Sequence, residues 1–465
     1  MATCRWVAPQ PEEEKGDSPH LPERPATNLR SVPGFAQMGT VPFFRPTAIP
    51  VAYQAPAEPR RPAPSGDAER ISPGDQGELS VEQLVVEVEA CNPSLQAASA
   101  AWRAAAQRYP QAVSLEDPMV GLMISPGGVG MDQGGGWMVE ASQKIPWAGK
   151  RALRGSAARA EADAMKGDLG DTRLRLYETA AMAFFDYYLA RREADVNASS
   201  RKLLAEFRGI AKNRYEVGQA TEQDVLQADV ELAALESRRT EIARDESVAI
   251  ARINTLLHRE PHCPLPPPGQ VAALGTLPAA EELLDSAAAA RPDLFAQQAR
   301  IRAEEANLSL ACKEYYPDLN LKAKYDAFMP EDMRPEVGVE LNVPLRSARR
   351  SAAVCEASER LQQRRAEYQA LLDQVRFEVQ SAFDRATQGR QVIRLYEEKI
   401  LPATERSLQS AQSNYTSGKL DFLRLLDAER QLYAQREMYY QAIAEYHRRL
   451  AELSRAVGET VAATP

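Results

Sequence analysis

Asp318-Leu319-Asn320-Leu321-Lys322-Ala323-Lys324-Tyr325-Asp326-Ala327 alternates without a break. Leu319, Leu321, Ala323, Tyr325 and Ala327 fall on one side, and Asp318, Asn320, Lys322, Lys324 and Asp326 on the other, because successive side chains of a strand point to opposite faces. The next run does the same, with Val337, Val339, Leu341 and Val343 against Glu336, Gly338, Glu340 and Asn342. An earlier run sets Trp137, Val139 and Ala141 against Met138, Glu140, Ser142 and Lys144. Met119–Ser125 is a weaker case, with Val120, Leu122 and Ile124 against Met119, Gly121 and Met123.

Two-faced strands of this length match the roughly 9–11 residues that a tilted barrel strand needs to cross a bilayer. Aromatic residues bracket them: Trp137 and Trp147 around the second strand, Tyr315 and Tyr316 before the third, Tyr325 and Phe328 at its close. Such end-loaded rings fit the girdles of membrane barrels. A small soluble sheet with one buried face fits the alternation equally well. Four strands are too few to close on themselves, since about eight are the fewest that enclose a packed interior. Three chains would supply twelve and leave no free edge.

Outward from the strands, one pattern is used twice. Asn92-Pro93-Ser94-Leu95-Gln96-Ala97 matches Arg291-Pro292-Asp293-Leu294-Phe295-Ala296. Pro118 and Pro317 then open strand-like runs, and Lys144-Ile145-Pro146-Trp147 and Asn342-Val343-Pro344-Leu345 open long helical runs. Arg214-Tyr215-Glu216-Val217-Gly218 matches Asn414-Tyr415-Thr416-Ser417-Gly418, and the offset stays between 198 and 200 throughout. A repeat at a fixed period signals duplicated architecture. The expected fold is mainly α with a small β part, in two helix–strand–strand–long helix–turn–helix units. Their expected bounds are 79–260 and 279–460, joined by a Pro-rich linker at 261–278.

The long helices are expected over about Gly149–Glu216 and Ser347–Thr416, each roughly 100 Å at 1.5 Å per residue. Pro402 is expected to kink the second. Gly218 and Gly418 sit where each helix must end, in the left-handed conformation that glycine tolerates. Thr221 and Asp421 can N-cap the returning helices. In the first of these, Val225, Ala228, Leu232, Leu235, Ile242, Ala249, Ile253 and Leu256 form a narrow, alanine-rich seam flanked by charge, the pattern of a coiled coil. On the helices alone, a soluble coiled-coil scaffold or adaptor is the simpler reading, and the two-faced strands oppose it.

The chain has 465 residues and a net charge of −9, which argues against nucleic acid as a partner. No apolar run reaches the length of a transmembrane helix, so a membrane could be crossed only by a closed barrel. Fourteen of the 32 prolines lie in residues 1–78, which are expected to be disordered, and residues 461–465 form a short tail. The start shows no basic segment followed by the apolar core of a signal peptide. The five cysteines are scattered. His258, His262 and Cys263 lie close together, but in a Pro-rich stretch read as a solvated helix end, so no metal site and no cofactor is expected. No phosphate loop, zinc motif or nucleophile elbow points to an enzyme. Gly127-Gly128 and Gly134-Gly135-Gly136 read as a hairpin loop on the cell-surface side.

Over residues 79–460 the sequence resembles the TolC family of outer-membrane efflux proteins. The resemblance is carried by Arg214-Tyr215-Glu216-Val217-Gly218-Gln219-Ala220-Thr221-Glu222-Gln223-Asp224-Val225-Leu226-Gln227-Ala228. It is carried again by Tyr415-Thr416-Ser417-Gly418-Lys419-Leu420-Asp421-Phe422-Leu423-Arg424-Leu425-Leu426-Asp427-Ala428, and by the duplicated order. Ile145-Pro146-Trp147-Ala148-Gly149-Lys150-Arg151 looks like the branch associated with heavy-metal efflux. The resemblance implies a homotrimer with a shared twelve-stranded barrel in outer-membrane lipid and a periplasmic α-helical tunnel. Such a duct conducts solutes passively from an inner-membrane pump through a periplasmic adaptor. It also implies adaptor docking at Val217, Gly218, Ala220 and Thr221 on one tip and at Ser417 and Gly418 on the other. Tyr415, Asp224 and Asp427 match residues that close the family's tunnel, whereas Arg424 replaces a ring aspartate and Leu420 replaces an arginine. A Tyr415–Asp224 hydrogen bond and an Arg424–Asp427 pair one turn apart are the closing contacts these positions suggest.

Overall fold

The computed structural model describes residues 77–125, 136–271, 275–327 and 329–460. The Pro-rich start through residue 76, the loop 126–135 with its five glycines, residues 272–274, Phe328 and the tail 461–465 lie outside them. Three short helices come first: α1 (Val81–Cys91), α2 (Pro93–Ala106) and α3 (Arg108–Val113). Ser80 opens α1 with a capping box, its hydroxyl accepting from the Gln83 amide while Gln83 accepts from the Ser80 amide. Strands β1 (Met119–Ser125) and β2 (Gly136–Ile145) follow, then the 67-residue helix α4 (Lys150–Glu216) and its return α5 (Glu222–Leu256). The second unit repeats the order: α6 (Ala280–Ala290), α7 (Pro292–Lys313), β3 (Leu319–Asp326), β4 (Pro335–Leu341), α8 (Ser347–Leu395), α9 (Leu401–Thr416) and α10 (Phe422–Val457). Pro93 and Pro292 both stand at the first position of a helix, where a missing N–H costs nothing.

The break between α8 and α9 is not a simple kink. Tyr396–Ile400 forms a π turn directly before Leu401-Pro402, and the helix runs on. Proline supplies no amide and crowds the carbonyl four residues back, and a wider turn relieves both faults while keeping the chain helical.

The long helices bury alanine where they meet. In α4 these include Ala160, Ala162, Ala164, Ala180, Ala181 and Ala183. In α5 the buried Ala228, Leu235, Ile242 and Ala249 stand seven apart, the spacing of a coiled-coil seam. Gly167 shows why bulk is excluded: a Cβ there would sit 2.6 Å from the Pro292 carbonyl at the start of α7. Midway along the bundle, Phe184, Phe185, Tyr187, Tyr188, Ile253 and Leu84 form one apolar cluster. His447 stacks on Phe185, with centroids 4.9 Å apart. Burial pushes His447 down to about 4, so it serves as a neutral ring at neutral pH. No described helix is both long and apolar enough to cross a membrane.

The strands form one antiparallel sheet in the order β1-β2-β3-β4. Only β1 and β4 are edges. The central pair joins the two repeats, with Ile145 opposite Leu319 and Val139 opposite Tyr325.

Candidate functional site

The register puts the alternating apolar runs of the four strands on one face, while Met119, Met123 and Met138 fall on the other. Ile124 faces Trp137, Leu122 faces Val139, and Val120 faces Ala141. Beyond them, Ala323 faces both Ala141 and Val337, and Leu321 faces Val339. This face is uncovered: Val337 is 88% exposed, Val120 72% and Ile124 67%. A contiguous apolar surface of this kind is foreign to a soluble monomer. It is not the buried face of a small soluble sheet.

The opposite face is charged and internally paired. Lys322 bridges Glu140 at 3.3 Å and Glu340 at 2.6 Å, and Lys324 bridges Asp326 at 3.2 Å and Glu336 at 3.4 Å. The expected girdle residues form two stacked pairs at opposite ends of the strands. Trp137 lies on Tyr325 with centroids 5.2 Å apart, and Trp147 lies on Tyr316 at 5.6 Å. Tyr315 is 41% exposed beside the second pair. Phe328 falls outside the described residues.

Below the sheet, Lys150 anchors strands to helices. It is 1% exposed, donates to the Tyr316 carbonyl at 3.1 Å and to Asp318 at 2.9 Å, and lies 3.6 Å from Glu314. Asp318 also accepts from the Trp147 amide at 2.9 Å. Sequence reasoning passed over this residue, because a lysine beside a second basic residue at a helix start reads as solvated.

At the far end, both hairpin tips have the same backbone. Gly218 and Gly418 have φ of 70° and 74°. The Gln219 amide donates to Arg214 and that of Gly218 to Tyr215; the Lys419 amide donates to Asn414 and that of Gly418 to Tyr415. These are the paired bonds of a Schellman cap, which satisfy the last carbonyls of α4 and α9. Thr221 and Asp421 occupy the N-cap positions of α5 and α10, but neither side chain makes the capping bond. The Thr221 hydroxyl turns instead to Asp224, 2.9 Å away. Val217 is 67% exposed, and Gly218, Ala220, Thr221, Ser417 and Gly418 lie on the tip surface with it.

The closing contacts suggested by the sequence are not formed within the chain. The Tyr415 ring turns inward onto Phe422, 5.5 Å away, and is 2% exposed, so its hydroxyl ends in the apolar cluster without a hydrogen-bond partner. Asp224 is close enough that burial first, and its charge second, raise the Tyr415 pKa, but its carboxylate is engaged by Thr221. Asp427 pairs with Arg430 at 3.6 Å, not with Arg424, which is exposed and forms no ion pair among the described residues. One turn in either direction is available to Asp427 on α10, and the partner further along the helix takes it.

Other residues join the two hairpins. Ser200 on α4 donates to the buried Glu429 on α10 at 2.6 Å, and burial raises that carboxyl's pKa. Arg430 pairs with Glu231 on α5. Arg238 on α5 reaches Glu437 on α10 at 3.3 Å and Glu193 on α4 at 3.2 Å, and Gln441 donates to Glu193 at 3.2 Å. Arg214, near the tip, donates to the Tyr415 carbonyl. These links were hidden because each joins positions about two hundred residues apart or across adjacent helices.

The chain matches known proteins at three levels. Residues 283–459 match the family model described as outer membrane efflux protein. Cobalt-zinc-cadmium resistance protein CzcC of Cupriavidus metallidurans is 23% identical over 316 residues, covering 68% of this chain and 75% of that protein. Outer membrane efflux protein BepC of Brucella suis biovar 1 is 25% identical over 292 residues, covering 60% of this chain and 62% of its own length. The outer-membrane channel OprN superposes with a TM-score of 0.71 at 22% identity, covering 86% of this chain and 96% of its own. The outer membrane protein VceC of Vibrio cholerae gives 0.70 at 19% identity, covering 82% and 97%. With the duplicated hairpins and the two-faced sheet, these matches agree: the second repeat matches the outer membrane efflux protein family, and the chain as a whole is similar to outer-membrane efflux channels of the TolC type.

Proposed function

We propose that the chain is the outer-membrane exit duct of a tripartite efflux or type I secretion system, passing solutes without making or breaking a bond. The observation that carries this reading is the sheet, with one face apolar and uncovered and the other charged and internally paired. A lipid-facing side must be apolar, and a water-filled lumen accepts paired charges. Tyr316 and Tyr325 are nine residues apart, about 30 Å along a strand. A tilt of about 40° brings that close to the roughly 25 Å apolar band of an outer-membrane barrel. The alternative of a soluble scaffold leaves the apolar face without a cover.

Both sheet edges need a neighbour, and three copies give a closed ring of twelve strands. The complex then sits in outer-membrane lipid, with its hairpins forming a periplasmic tunnel that meets an adaptor and, through it, an inner-membrane pump. Mass measurement in detergent should give three copies, and planar bilayers should show discrete conductance steps. A monomer of native helicity with no conductance would overturn the reading.

The tips are the proposed adaptor contact. The first presents Val217 and Tyr215 with Glu216, Glu222 and Asp224, and the second presents Lys419 and Arg424 with Asp421. An adaptor therefore meets two surfaces of unlike charge. Replacing Ala220 with Trp changes the tip surface without forcing the glycine backbone. It should abolish efflux in cells while leaving trimer yield unchanged, and normal transport by that variant would remove Ala220 from the contact.

A further inference from the structure

We propose that the segment Pro56-Ala57-Glu58-Pro59-Arg60-Arg61-Pro62 docks into a tyrosine-lined groove midway along the bundle. The inference goes beyond the channel reading and does not depend on it. The groove, of about 460 Å³, lies between α4, α8, α10 and the linker that follows α5. Tyr188, Tyr439, Tyr440, Ile393, Val271 and Glu397 line it, and Glu397 belongs to the π turn. The Tyr439 and Tyr440 rings lie 5.2 Å apart and are inclined by 58°, so they form an open notch and not a closed stack. The Tyr439 hydroxyl donates to Glu397 at 2.9 Å, which fixes that ring. Aromatic notches of this kind take proline-rich chain, because a polyproline helix arrives already ordered and loses little entropy on binding.

Three observations point to this occupant. The described chain begins beside the groove: the Leu79 amide donates to the Pro267 carbonyl at 2.8 Å, and the Leu79 carbonyl accepts from Gly269 at 2.9 Å. Gln270 and Val271, next along that linker, line the groove. Arg61 stands eighteen residues before Leu79, a reach of up to about 60 Å at roughly 3.3 Å per residue. Pro56, Pro59 and Pro62 recur every three residues, the period of a polyproline helix, so all three rings share one edge. The charges match as well. Glu397 and Glu398 are exposed on the π turn and suit the Arg60-Arg61 pair, while Arg192, which lies over Tyr188 on the α4 wall, offers a counter-charge to Glu58. A second proline run at this spacing, Pro19, Pro22 and Pro25, ends 54 residues before Leu79 and has no paired arginines. Docking covers the tyrosines and ties the start of the chain to the π turn between α8 and α9.

Fluorescence anisotropy with a labelled peptide of residues 53–66, added to the full-length protein in detergent, tests the docking. Pro56→Ser, Pro59→Ser and Pro62→Ser together should vacate the groove, and the peptide should bind that variant. It should bind the unmodified protein at least about tenfold more weakly, because the tethered copy competes at a high effective concentration. Adding Glu397→Lys and Glu398→Lys to the vacated form should abolish binding. A peptide carrying Arg60→Glu and Arg61→Glu should bind that form again, which shows that the groove is still folded. No binding to the vacated form would overturn the proposal. Equal binding to the vacated and unmodified forms would overturn it too, because the groove would then stand open in the intact chain. Oxidative footprinting of Tyr439 and Tyr440 in the same samples gives an independent reading, and labelling should rise several-fold in the triple-serine form. Labelling that rises only when the oligomer is dissociated would assign the groove to a second copy of the chain and overturn the proposal.

Discussion

Leu321→Arg should prevent stable assembly in lipid. Leu321 sits mid-strand on the uncovered face, directly opposite Val339, and is 44% exposed in the single chain. An arginine facing the bilayer midplane costs about 2–4 kcal/mol per copy. Three copies would multiply that to about 6–12 kcal/mol per assembly, comparable with the whole stability of many folded domains. The expected result is loss of heat-resistant oligomer and of membrane-fraction protein, with helical content intact. Ser142→Arg on the charged face is the control, and it should leave assembly in place while altering ion selectivity. If Leu321→Arg assembles as well as the control, that face does not meet lipid.

The second large effect lies at the junction of sheet and helices. Asp318→Ala leaves Lys150 buried with one carbonyl and the partly exposed Glu314, and strips the Trp147 amide of its acceptor. Removing one partner of a buried ion pair costs about 3–5 kcal/mol, because the remaining charge stays out of water. The thermal midpoint should fall, and the Trp147–Tyr316 stack should loosen, visible as a shift in tryptophan emission. Lys150→Met combined with Asp318→Ala should recover much of the loss, since an apolar side chain fills the site without a charge to satisfy. A double variant no more stable than Asp318→Ala alone would mean that the lysine stem, and not its charge, holds the junction.

How much of this was legible in the sequence depended on how local the cause was. The strand faces follow from a two-residue period, and the register preserved them as read. Gly218 and Gly418 marked helix ends because a positive φ is a property of one residue. The α5 seam was visible as a stripe, and four of its buried members stand seven apart. What escaped was set by packing between distant segments. Nothing near Lys150 announces that Asp318, 168 residues later, will cover it. Tyr415 matches a closing residue, yet which way its ring turns depends on Phe422 and on Arg214 in the other repeat. The Arg424–Asp427 pair was a spacing argument, and spacing offered Asp427 two partners. Pro402 was read correctly as a perturbation, but whether a helix kinks or widens is settled by the turns around it.

The sheet order carries a consequence for how the molecule is made. The β2–β3 ladder pairs residues more than 170 positions apart, as Ile145 with Leu319. Each helical hairpin, by contrast, closes around a tip of a few residues. Closing a long loop costs entropy before its contacts return anything, so local hairpins form early and the ladder waits for a scaffold that has already brought its ends together. In the proposed trimer the outer edges of β1 and β4 would wait longer still, for a second chain. On that reading the hazardous surface, a greasy sheet with two open rims, would be the last to be completed. A nascent chain with finished hairpins and an unfinished sheet is the species a periplasmic chaperone would need to shield from aggregation.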